Sequence, residues 1–372
     1  MLLVRIVIAP DKFKGSLSAR EVADALADGL TAEHPDWQIV RVPIADGGDG
    51  TVAAFVAAGW QPIALPVDGP TGELHQAHYA MAGETAVVEL AAAVGLVALP
   101  DGRLDPLGAS TFGLGEVIAD ALDHGANQVV IGLGGSASTD GGAGMLQALG
   151  ARVLNGASED VGRGGAALLD AATLDLSDLH PAVPGTDFVL ACDVDNPLLG
   201  PHGATAVYGP QKGADEAQLA MLESALAHWA EVVRVATGTD ASLTPGAGAA
   251  GGTGFGAMSV LAAGSQPGID IVLELIDFSA LVAGADLVVT GEGSIDEQTL
   301  HGKAPVGVRD AAAAVGAPVV VVAGRSLLSD ERVRAEGFVE CYTLAEREPD
   351  LARSMADAAE LLRGVGRDIA RR

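Results

Sequence analysis

Lysine is used sparingly in this 372-residue chain, and each copy lies in the same kind of sequence. The lysine ammonium group is a compact point charge that suits contacts with phosphate oxygens. Chance readily explains one lysine in such a place, but the whole set indicates that these loops bind an anion. The lysines are Lys12, Lys14, Lys212 and Lys303, and all lie in glycine-containing polar loops.

The first two lysines, in PDKFKGS, lie directly before a predicted helix. Ser18 and Glu21 give a capping-box pattern at the start of that helix, and apolar residues then recur on one of its faces. Free N–H groups and the positive end of a helix dipole favour an anion at such a position. We therefore expect Lys12 and Lys14 to contact phosphate or carboxylate groups.

A second loop, IADGGDGT, combines aspartates with glycines. Asp46 and Asp49 offer carboxylates, while Gly47 and Gly48 allow positive φ and a close approach of a ligand to the backbone. Aspartate beside glycine is also the commonest turn composition. The pattern therefore fits a plain turn and a ligand-binding loop about equally well.

A third loop, GLGGSASTDGGAG at residues 132–144, combines six glycines with three hydroxyl side chains and one aspartate. It lies between a β-branched strand pattern and a helical pattern, which argues against a flexible linker. Exposed backbone N–H groups in such a loop suit a phosphate or carboxylate. The residues expected to bind this group are Gly134, Gly135, Ser136, Thr139 and Asp140.

A pair of aspartates follows a buried-looking strand in ACDVDNPLLG. Carboxylates at the carboxyl end of a strand can hold Mg²⁺, directly or through water, or accept a hydroxyl proton. Asn196 before Pro197 favours a turn here, which would occupy Asp195 or Asn196. Asp193 is therefore the candidate for chemistry.

Several other nucleotide-binding signatures are absent from the sequence. GAGAAGGTGFG, residues 246–256, contains G-x-G-x-x-G, but no strand pattern precedes it, as a Rossmann fingerprint requires. No G-x-x-x-x-G-K-[ST] occurs, so the chain is not a P-loop nucleotide triphosphatase. H-R-D and D-F-G are missing as well, which excludes a protein kinase. The eight histidines show no metal-ligand spacing.

The loops recur in one order, in which a β-branched run precedes a glycine-rich loop and a helical pattern follows. This alternation predicts an α/β fold with mainly parallel sheets and βαβ crossovers. Strand patterns begin near residues 3, 38, 286, 318 and 338, and five strands suit a flavodoxin-like doubly wound parallel sheet.

The length of the chain indicates two domains. We expect residues 1–65 and 281–372 to form the flavodoxin-like domain, and residues 66–280 to form a second α/β domain inserted into it. Prolines and glycines in segment 66–83 indicate the exit from the first domain, and the glycine-rich stretch 245–256 lies near the return.

The flavodoxin-like strand order makes a prediction about two of the loops. The first and third strands are neighbours at the switch point, where ligands bind beyond the carboxyl ends of the strands. These strands lead into PDKFKGS and TGEGSID. We therefore expect Lys12, Lys14, Glu292 and Asp296 to surround one cleft.

Composition narrows the class of partner. A formal net charge of −28 repels phosphate backbones and anionic lipid, and 3% aromatic residues leave little for base stacking. Cys192 and Cys341, the only cysteines, make neither a metal cluster nor a disulfide framework. No apolar run suits a signal sequence or a transmembrane helix. We predict a soluble cytoplasmic protein with a small-molecule substrate, and the oligomeric state, including a homodimer, stays open.

Seven motifs together resemble those of the bacterial glycerate kinase family, in the family's order and over almost the whole chain. They are IAPDKFKGSLSA, PIADGGDGT, GLGGSASTDGGAGM, ACDVDNPLLGPHGA, GPQKGA, GAGAAGGTGFG and VVTGEGSIDEQTLHGKAP. The resemblance implies two α/β domains, one of them flavodoxin-like, with the active site in the cleft between them. It also implies ATP, Mg²⁺ and D-glycerate, with 2-phosphoglycerate as the product.

For phosphoryl transfer, which mainly needs positioning and charge neutralisation, we expect Lys12 and Lys14 to serve the phosphates or the glycerate carboxylate. Asp193 and Asp296 compete for the role of accepting the hydroxyl proton, and the other would hold Mg²⁺, directly or through water. The motifs add further residues to those expected to bind substrate or phosphate: Gly252, Gly254, Glu292, Lys212 and Lys303.

The loop with Asp46 and Asp49 would bind substrate hydroxyls or water on the metal. Three alternatives remain open at this point. The chain could phosphorylate another small hydroxy acid, form 3-phosphoglycerate instead, or bind a nucleotide or sugar acid without catalysis. The carboxylates at Asp193 and Asp296 argue against the last of these, because a sensor has little need for them.

Overall fold

The computed structural model describes residues 4–372, and Leu3, which falls in the first predicted strand, lies outside them. The strands of the described chain are β1 Arg5–Pro10, β2 Gln38–Arg41, β3 Gln61–Asp68, β4 Leu74–Ala82, β5 Thr85–Glu89, β6 Gln128–Gly132, β7 Arg152–Leu154, β8 Thr173–Asp175, β9 Asp187–Ala191, β10 Gly264–Gln266, β11 Leu287–Ile295, β12 Val319–Ser326 and β13 Glu340–Thr343.

The α-helices are α1 Ala19–Glu33, α2 Thr51–Ala57, α3 Leu90–Val94, α4 Phe112–Asp123, α5 Ala143–Ala148, α6 Ala204–Tyr208, α7 Glu216–Thr237, α8 Ala249–Val260, α9 Gly268–Leu275, α10 Phe278–Val282, α11 Ala304–Ala314, α12 Asp330–Ala335, α13 Leu351–Ala356 and α14 Ala358–Ala370. Short 3-10 turns lie between some of them, including Pro210–Lys212 and Thr299–His301. Within the described chain, no helix has the length and apolarity needed to cross a membrane.

The chain forms two compact units. The first consists of Met1–Asp46, Ala53–Gly59 and Pro267–Arg372, and the second of Gly47–Val52 and Trp60–Gln266. The chain thus leaves the first unit near residue 60 and returns at residue 267, whereas the sequence pattern placed these points at 66 and 281.

The first unit contains a five-stranded sheet in the order β2-β1-β11-β12-β13. All neighbouring pairs are parallel, and β1 lies between β2 and β11. Counted along this unit, the order is 2-1-3-4-5, the flavodoxin-like order that the sequence predicts. The prediction of the fold class is therefore confirmed, including the adjacency of the first and third strands.

The predicted start of α1 is confirmed in atomic detail. The Ser18 hydroxyl accepts a hydrogen bond from the Glu21 backbone N–H at 3.3 Å, and the Ser18 backbone N–H donates to the Glu21 carboxylate at 2.8 Å. This reciprocal capping box fixes where the helix begins, and so where the preceding loop with Lys12 and Lys14 ends.

The long helix α1 packs directly on α14 through glycines. A Cβ on Gly29 would lie 2.2 Å from the Arg363 carbonyl oxygen, and one on Gly366 would lie 2.4 Å from the Leu26 carbonyl oxygen. Only glycine allows backbones to approach this closely. The contact buries the apolar face of α1, including Val22 and Leu30, in the core beside the sheet.

The second unit contains a six-stranded mixed sheet in the order β3-β4-β5-β6-β9-β10. Strands β5, β6, β9 and β10 are parallel, while β4 is antiparallel to both β3 and β5. Most of segment 66–83, whose prolines and glycines indicated a domain exit, lies in the β3–β4 hairpin. Pro66 is compatible with a strand here because β3 is an edge strand, one of the few places in a sheet where proline occurs.

Candidate active site

The switch point of the first unit brings the two predicted loops side by side. The Asp11 backbone N–H donates to the Gly291 carbonyl at 2.8 Å, and the Thr290 hydroxyl donates to the Ala9 carbonyl at 2.8 Å. These bonds tie the end of β1 to β11. The side chains that follow both strands therefore share one edge of the sheet, as the strand order predicts.

Glu292 is a carboxylate that two contacts anchor at this edge. Its Oε1 accepts from the Thr299 hydroxyl at 2.6 Å, and its Oε2 lies 3.9 Å from Lys303 Nζ. Burial raises the pKa of Glu292, and the Thr299 hydroxyl and the Lys303 charge oppose that rise. The negative charges of Asp296 and Asp46 act in the same direction as burial, so several predicted residues lie within electrostatic range of Glu292.

Asp296 is held in a turn by its own backbone. Its Oδ1 accepts from the Gln298 N–H at 2.9 Å and from the Thr299 N–H at 3.2 Å, so this oxygen starts the 3-10 turn after β11. The side chain is half-buried. One carboxylate oxygen thus has a structural role, while the charge remains available to a ligand at the strand end.

Asp11 is a carboxylate that the sequence analysis did not single out. It is only 7% exposed, and its Oδ1 accepts from the Lys12 backbone N–H at 2.6 Å. Burial raises the pKa of Asp11 to about 7; the Lys12 charge opposes this, and the charges of Asp46 and Glu292 add to it. Asp11 therefore joins Lys12, Asp46 and Glu292 in one charged cluster, whereas Lys14 is exposed.

In the second unit, Glu89 holds the loop that follows Asp46. Its two carboxylate oxygens accept from the Gly50 N–H at 3.0 Å and from the Val52 N–H at 3.2 Å, at the start of α2. The side chain is 8% exposed. Sequence reasoning missed Glu89, since it did not identify β5. The signal that could have found it is a lone acidic residue at the end of the β-branched run TAVVE.

The same loop lies directly on the glycine-rich loop after β6. A Cβ on Gly132 would lie 2.5 Å from the Gly47 carbonyl oxygen, and one on Gly134 would lie 2.9 Å from the Gly48 Cα. A Cβ on Gly135 would lie 2.8 Å from the Asp49 Oδ1. The structure thus brings together two loops that the sequence analysis treated separately.

Asp140 lies inside the glycine-rich loop rather than on its surface. It is fully buried, and its Oδ2 accepts from the Thr111 N–H at 2.7 Å and from the Thr111 hydroxyl at 2.8 Å. The N–H groups of Gly142 and Gly144 also donate to its carboxylate, each at 3.2 Å. Burial raises the pKa of Asp140, and these donors oppose the rise.

The predicted hydroxyl side chains are buried as well. Ser136 is 5% exposed and its Oγ lies 3.2 Å from the Ser138 carbonyl, while Thr139 is 1% exposed. The Thr139 Oγ1 has no hydrogen-bond partner among the described residues. Gly134 and Gly135 are the accessible part of the loop, and Gly135 has φ +70°.

A further glycine-rich segment, residues 246–256, packs against this loop. A Cβ on Gly252 would lie 2.8 Å from the Leu198 side chain and 2.9 Å from the Gly141 Cα, and one on Gly254 would lie 2.2 Å from the Gly246 carbonyl oxygen. Both glycines are buried. The element directly before this segment in the described chain is the helix α7, not a strand, so the context that a Rossmann fingerprint requires is missing.

Asp193 follows β9 at the same edge of the sheet as Glu89 and Gly132, since β5, β6 and β9 are parallel and in register. It is exposed. Asn196, three residues further on, has side-chain partners later in the chain: its Oδ1 accepts from the Tyr208 hydroxyl at 2.7 Å, and its side-chain N–H donates to the His202 carbonyl at 2.8 Å. The turn expected at Asp195 or Asn196 stays a prediction.

The comparisons with known proteins agree with this arrangement of motifs. A model of the glycerate kinase family matches residues 6–372. The chain belongs to the glycerate kinase family. The resemblance seen in the sequence is therefore confirmed over nearly the whole chain, and membership of a kinase family implies ATP as the co-substrate.

Two curated members of the glycerate kinase family are close in sequence. The glycerate kinase of Bacillus subtilis (strain 168) is 45% identical over 99% of this chain and 97% of its own length. The glycerate 2-kinase of Escherichia coli (strain K12) is 46% identical over 88% of this chain and 86% of its own length. A crystal structure described as a glycerate kinase 2 from Salmonella typhimurium LT2 is similar in fold, with a TM-score of 0.86, 40% identity and coverage of 99% and 98% of the two chains.

The two bonds at Glu89 make a prediction about this glycerate kinase family member. Glu89→Gln preserves the size but replaces one acceptor oxygen with a donor, so either the Gly50 N–H or the buried Val52 N–H loses its partner. Such a loss costs about 1–3 kcal/mol, and we expect kcat/KM for glycerate to fall by about tenfold. Steady-state kinetics would measure it. Glu216→Gln, at the exposed start of α7, is the control, and equal kinetics in both variants would contradict the role of Glu89.

Proposed function

We propose that this chain transfers the γ-phosphoryl group of ATP to the 2-hydroxyl of D-glycerate, giving 2-phosphoglycerate and ADP. A bond forms between the hydroxyl oxygen and the γ-phosphorus, the bond from that phosphorus to the bridging oxygen breaks, and the hydroxyl proton passes to a carboxylate. The observation that carries the proposal is that five of the seven motifs lie at the carboxyl ends of parallel strands, β1, β2 and β11 in the first unit and β6 and β9 in the second, where open α/β sheets bind ligands.

The cations of the first unit are proposed to bind the anionic groups of the substrates. Lys12 lies within range of the Asp11, Asp46 and Glu292 cluster, and Lys14 is exposed two residues further on. Lys12 would contact the transferred phosphoryl group, and Lys14 the remaining phosphates or the glycerate carboxylate. Lys303, 3.9 Å from Glu292, completes this set.

The second unit is proposed to supply an anion-binding loop. The accessible backbone at Gly134 and Gly135 would bind a phosphate or carboxylate through N–H groups. Ser136, Thr139 and Asp140 are buried, so their proposed contribution is to shape this loop. Asp49, exposed beside Gly135, would bind a substrate hydroxyl, and Asp46 would do so from the first unit.

Mg²⁺ fits the residues present if the nucleotide provides most of its ligands. The described residues hold no group of three or more histidine, cysteine or acidic side chains arranged for a metal ion. Nucleotide-bound Mg²⁺ usually keeps its waters and uses one or two carboxylates plus phosphate oxygens. Asp193 or Asp296 would hold it, directly or through water. When bound, the ion neutralises charge on the phosphates.

Asp193 and Asp296 remain the two candidates for accepting the hydroxyl proton. Asp193 is exposed at the end of β9, whereas one oxygen of Asp296 already accepts two backbone N–H groups. The residue that does not take the proton would serve the metal. A cytoplasmic location and an active site in a cleft between the domains stay predictions, and the oligomeric state stays open.

The reaction itself can be tested by mixing the purified protein with Mg-ATP and D-glycerate and following the products by phosphorus NMR. We expect a 2-phosphoglycerate signal that grows with ADP in a one-to-one ratio. A 3-phosphoglycerate signal would overturn the regiochemistry. If folded protein formed no ADP with glycerate but did so with tartronate or a similar acid, the proposed substrate would be wrong.

Charge removal at the two carboxylates separates their roles. Asp193→Asn and Asp296→Asn keep side-chain size, and the asparagine at 296 retains an acceptor oxygen for its turn. We expect the loss of the proton acceptor to lower kcat by about 100-fold or more, and the loss of the metal contact to raise the Mg²⁺ concentration needed for half-maximal rate. Asp187→Asn, at the opposite end of β9, is the control. Near-full turnover in both variants would show that neither residue has the proposed role.

A further inference from the structure

Lys212 differs from the other three lysines because it lies inside the protein. It ends the 3-10 turn Pro210–Lys212, is 2% exposed, and is among the largest fully buried side chains of the described chain. Gly213 follows with φ +91°. A buried lysine is rare unless its charge is used, because removing an ammonium group from water is costly.

The ammonium group of Lys212 is directed at the glycine-rich loop of residues 132–144. Its Nζ donates to the Ser138 carbonyl and lies 3.5 Å from the Ser136 Oγ. A Cβ on Gly251 would lie 2.8 Å from Nζ and 2.1 Å from the Ser138 carbonyl oxygen, so the absence of a side chain there makes room for the contact. Lys212 thus joins the GPQKGA, GLGGSASTDGGAGM and GAGAAGGTGFG motifs.

Two oxygens accept from this ammonium group among the described residues, and both belong to the loop. The Ser136 hydroxyl also lies 3.3 Å from the Ala250 carbonyl, which adds a second connection between the loop and the segment behind it. The backbone at Gly134 and Gly135 remains accessible on the other side of Ser136 in the chain. The buried charge therefore acts on the accessible part of the loop through Ser136 and Ser138.

The charge of Lys212 is poised to change near neutral pH. Burial lowers its pKa to about 7, and the negative charge of Asp140, the titratable group that faces it, opposes this. Burial raises the pKa of Asp140 in turn. Lys212 is thus charged below about pH 7 and becomes neutral above it, in contrast to an exposed lysine.

We propose that Lys212 is a positioning residue whose ammonium group holds the Ser136–Ser138 backbone in its anion-binding form and provides positive charge beneath it. The proposal rests on the proposed function, since it takes an anionic substrate group to lie at Gly134 and Gly135. Lys212 itself does not touch the substrate. Its charged form binds the anion more tightly than its neutral form, so affinity falls as pH rises through about 7.

Thermodynamic linkage makes this testable in the wild-type protein. If protonation of Lys212 strengthens anion binding, anion binding must raise the protonation midpoint of Lys212 by the same factor. A tenfold difference in affinity between the two forms corresponds to a rise of about one pH unit. A lysine that merely supports the fold would show no such coupling to the ligand.

The experiment uses protein labelled with ¹³C at the lysine ε-carbons, which gives only four lysine signals from this chain. The Lys212 signal is the one that titrates far below the others. Midpoints are measured for the free protein and with saturating D-glycerate or ADP added separately, so the probe that moves the midpoint identifies the anion. A raised midpoint with either probe supports the proposal. A midpoint unchanged by both, or a signal that titrates with the other three, overturns it.

A variant gives an independent reading. In Lys212→Met we expect KM for the substrate whose anion was identified by the titration to be about tenfold higher than in the wild type at pH 6.5. Between pH 6 and 8.5 the wild-type KM increases, whereas KM of the variant stays constant. The change in kcat is smaller. Arg234→Met, which removes an exposed cation from α7, should behave as wild type. A Lys212→Met variant with wild-type KM and pH profile would refute the proposal. If the Lys212→Met variant does not fold, the titration of the wild-type protein decides whether the proposal stands.

Turnover of glycerate by the wild-type protein is measured before these experiments. Its absence would refute the proposed function and not the role of Lys212.

Discussion

The candidate site in the second unit depends on close contacts between backbone segments. At these contacts there is no room for any side chain. The loop after Asp46 touches the loop after β6 at Gly132 and Gly134, and the segment 246–256 touches the same loop at Gly251 and Gly252. A Cβ at any of these four glycines would lie between 2.1 and 2.9 Å from another atom, which is closer than side chains approach. These glycines have no side chain, so the backbones of the loops can come into direct contact. The contacts hold the N–H groups and carboxylates of the loops in a fixed arrangement.

Close packing also buries several charged groups in both units. Asp11 and Glu292 in the first unit and Asp140 and Lys212 in the second are mostly or fully removed from water. Each has a pKa shifted towards its neutral form, chiefly by burial. Such groups respond strongly to an added charge, because little water screens it. A polyanionic substrate with a divalent ion is the kind of ligand that exploits this sensitivity.

The sequence predicted the first unit well because each of its signals is local. β-branched runs followed by polar loops marked its strands, and Ser18 with Glu21 marked the start of α1. The five-strand count then led to the observed order. Strand order decides which loops are neighbours at the carboxyl ends of the strands. The sequence could therefore predict that the loops with Lys12 and Glu292 lie side by side.

The rest could not be read from the sequence, for reasons of packing. TAVVELAAAVGL is apolar apart from Thr85 and Glu89, so periodicity cannot separate β5 from α3, and Glu89 was missed together with the strand that it ends. Pro66 and Gly72 obscured the β3–β4 hairpin, whose edge position alone makes the proline compatible with a strand. The burial of Asp11, Asp140 and Lys212 depends on segments distant in the chain, so their residue types gave no warning of it.

The close approach of Gly132 to the Gly47 carbonyl gives the most direct test of this account. We would compare the kinase activity of Gly132→Ala with that of Gly185→Ala, where a Cβ would meet nothing within 4 Å. The account predicts that the added methyl group displaces the loop with Asp49, so that kcat/KM for glycerate falls by about tenfold or more while Gly185→Ala stays at the wild-type value. Unchanged kcat/KM in a folded Gly132→Ala variant would contradict the claim that this backbone contact shapes the site.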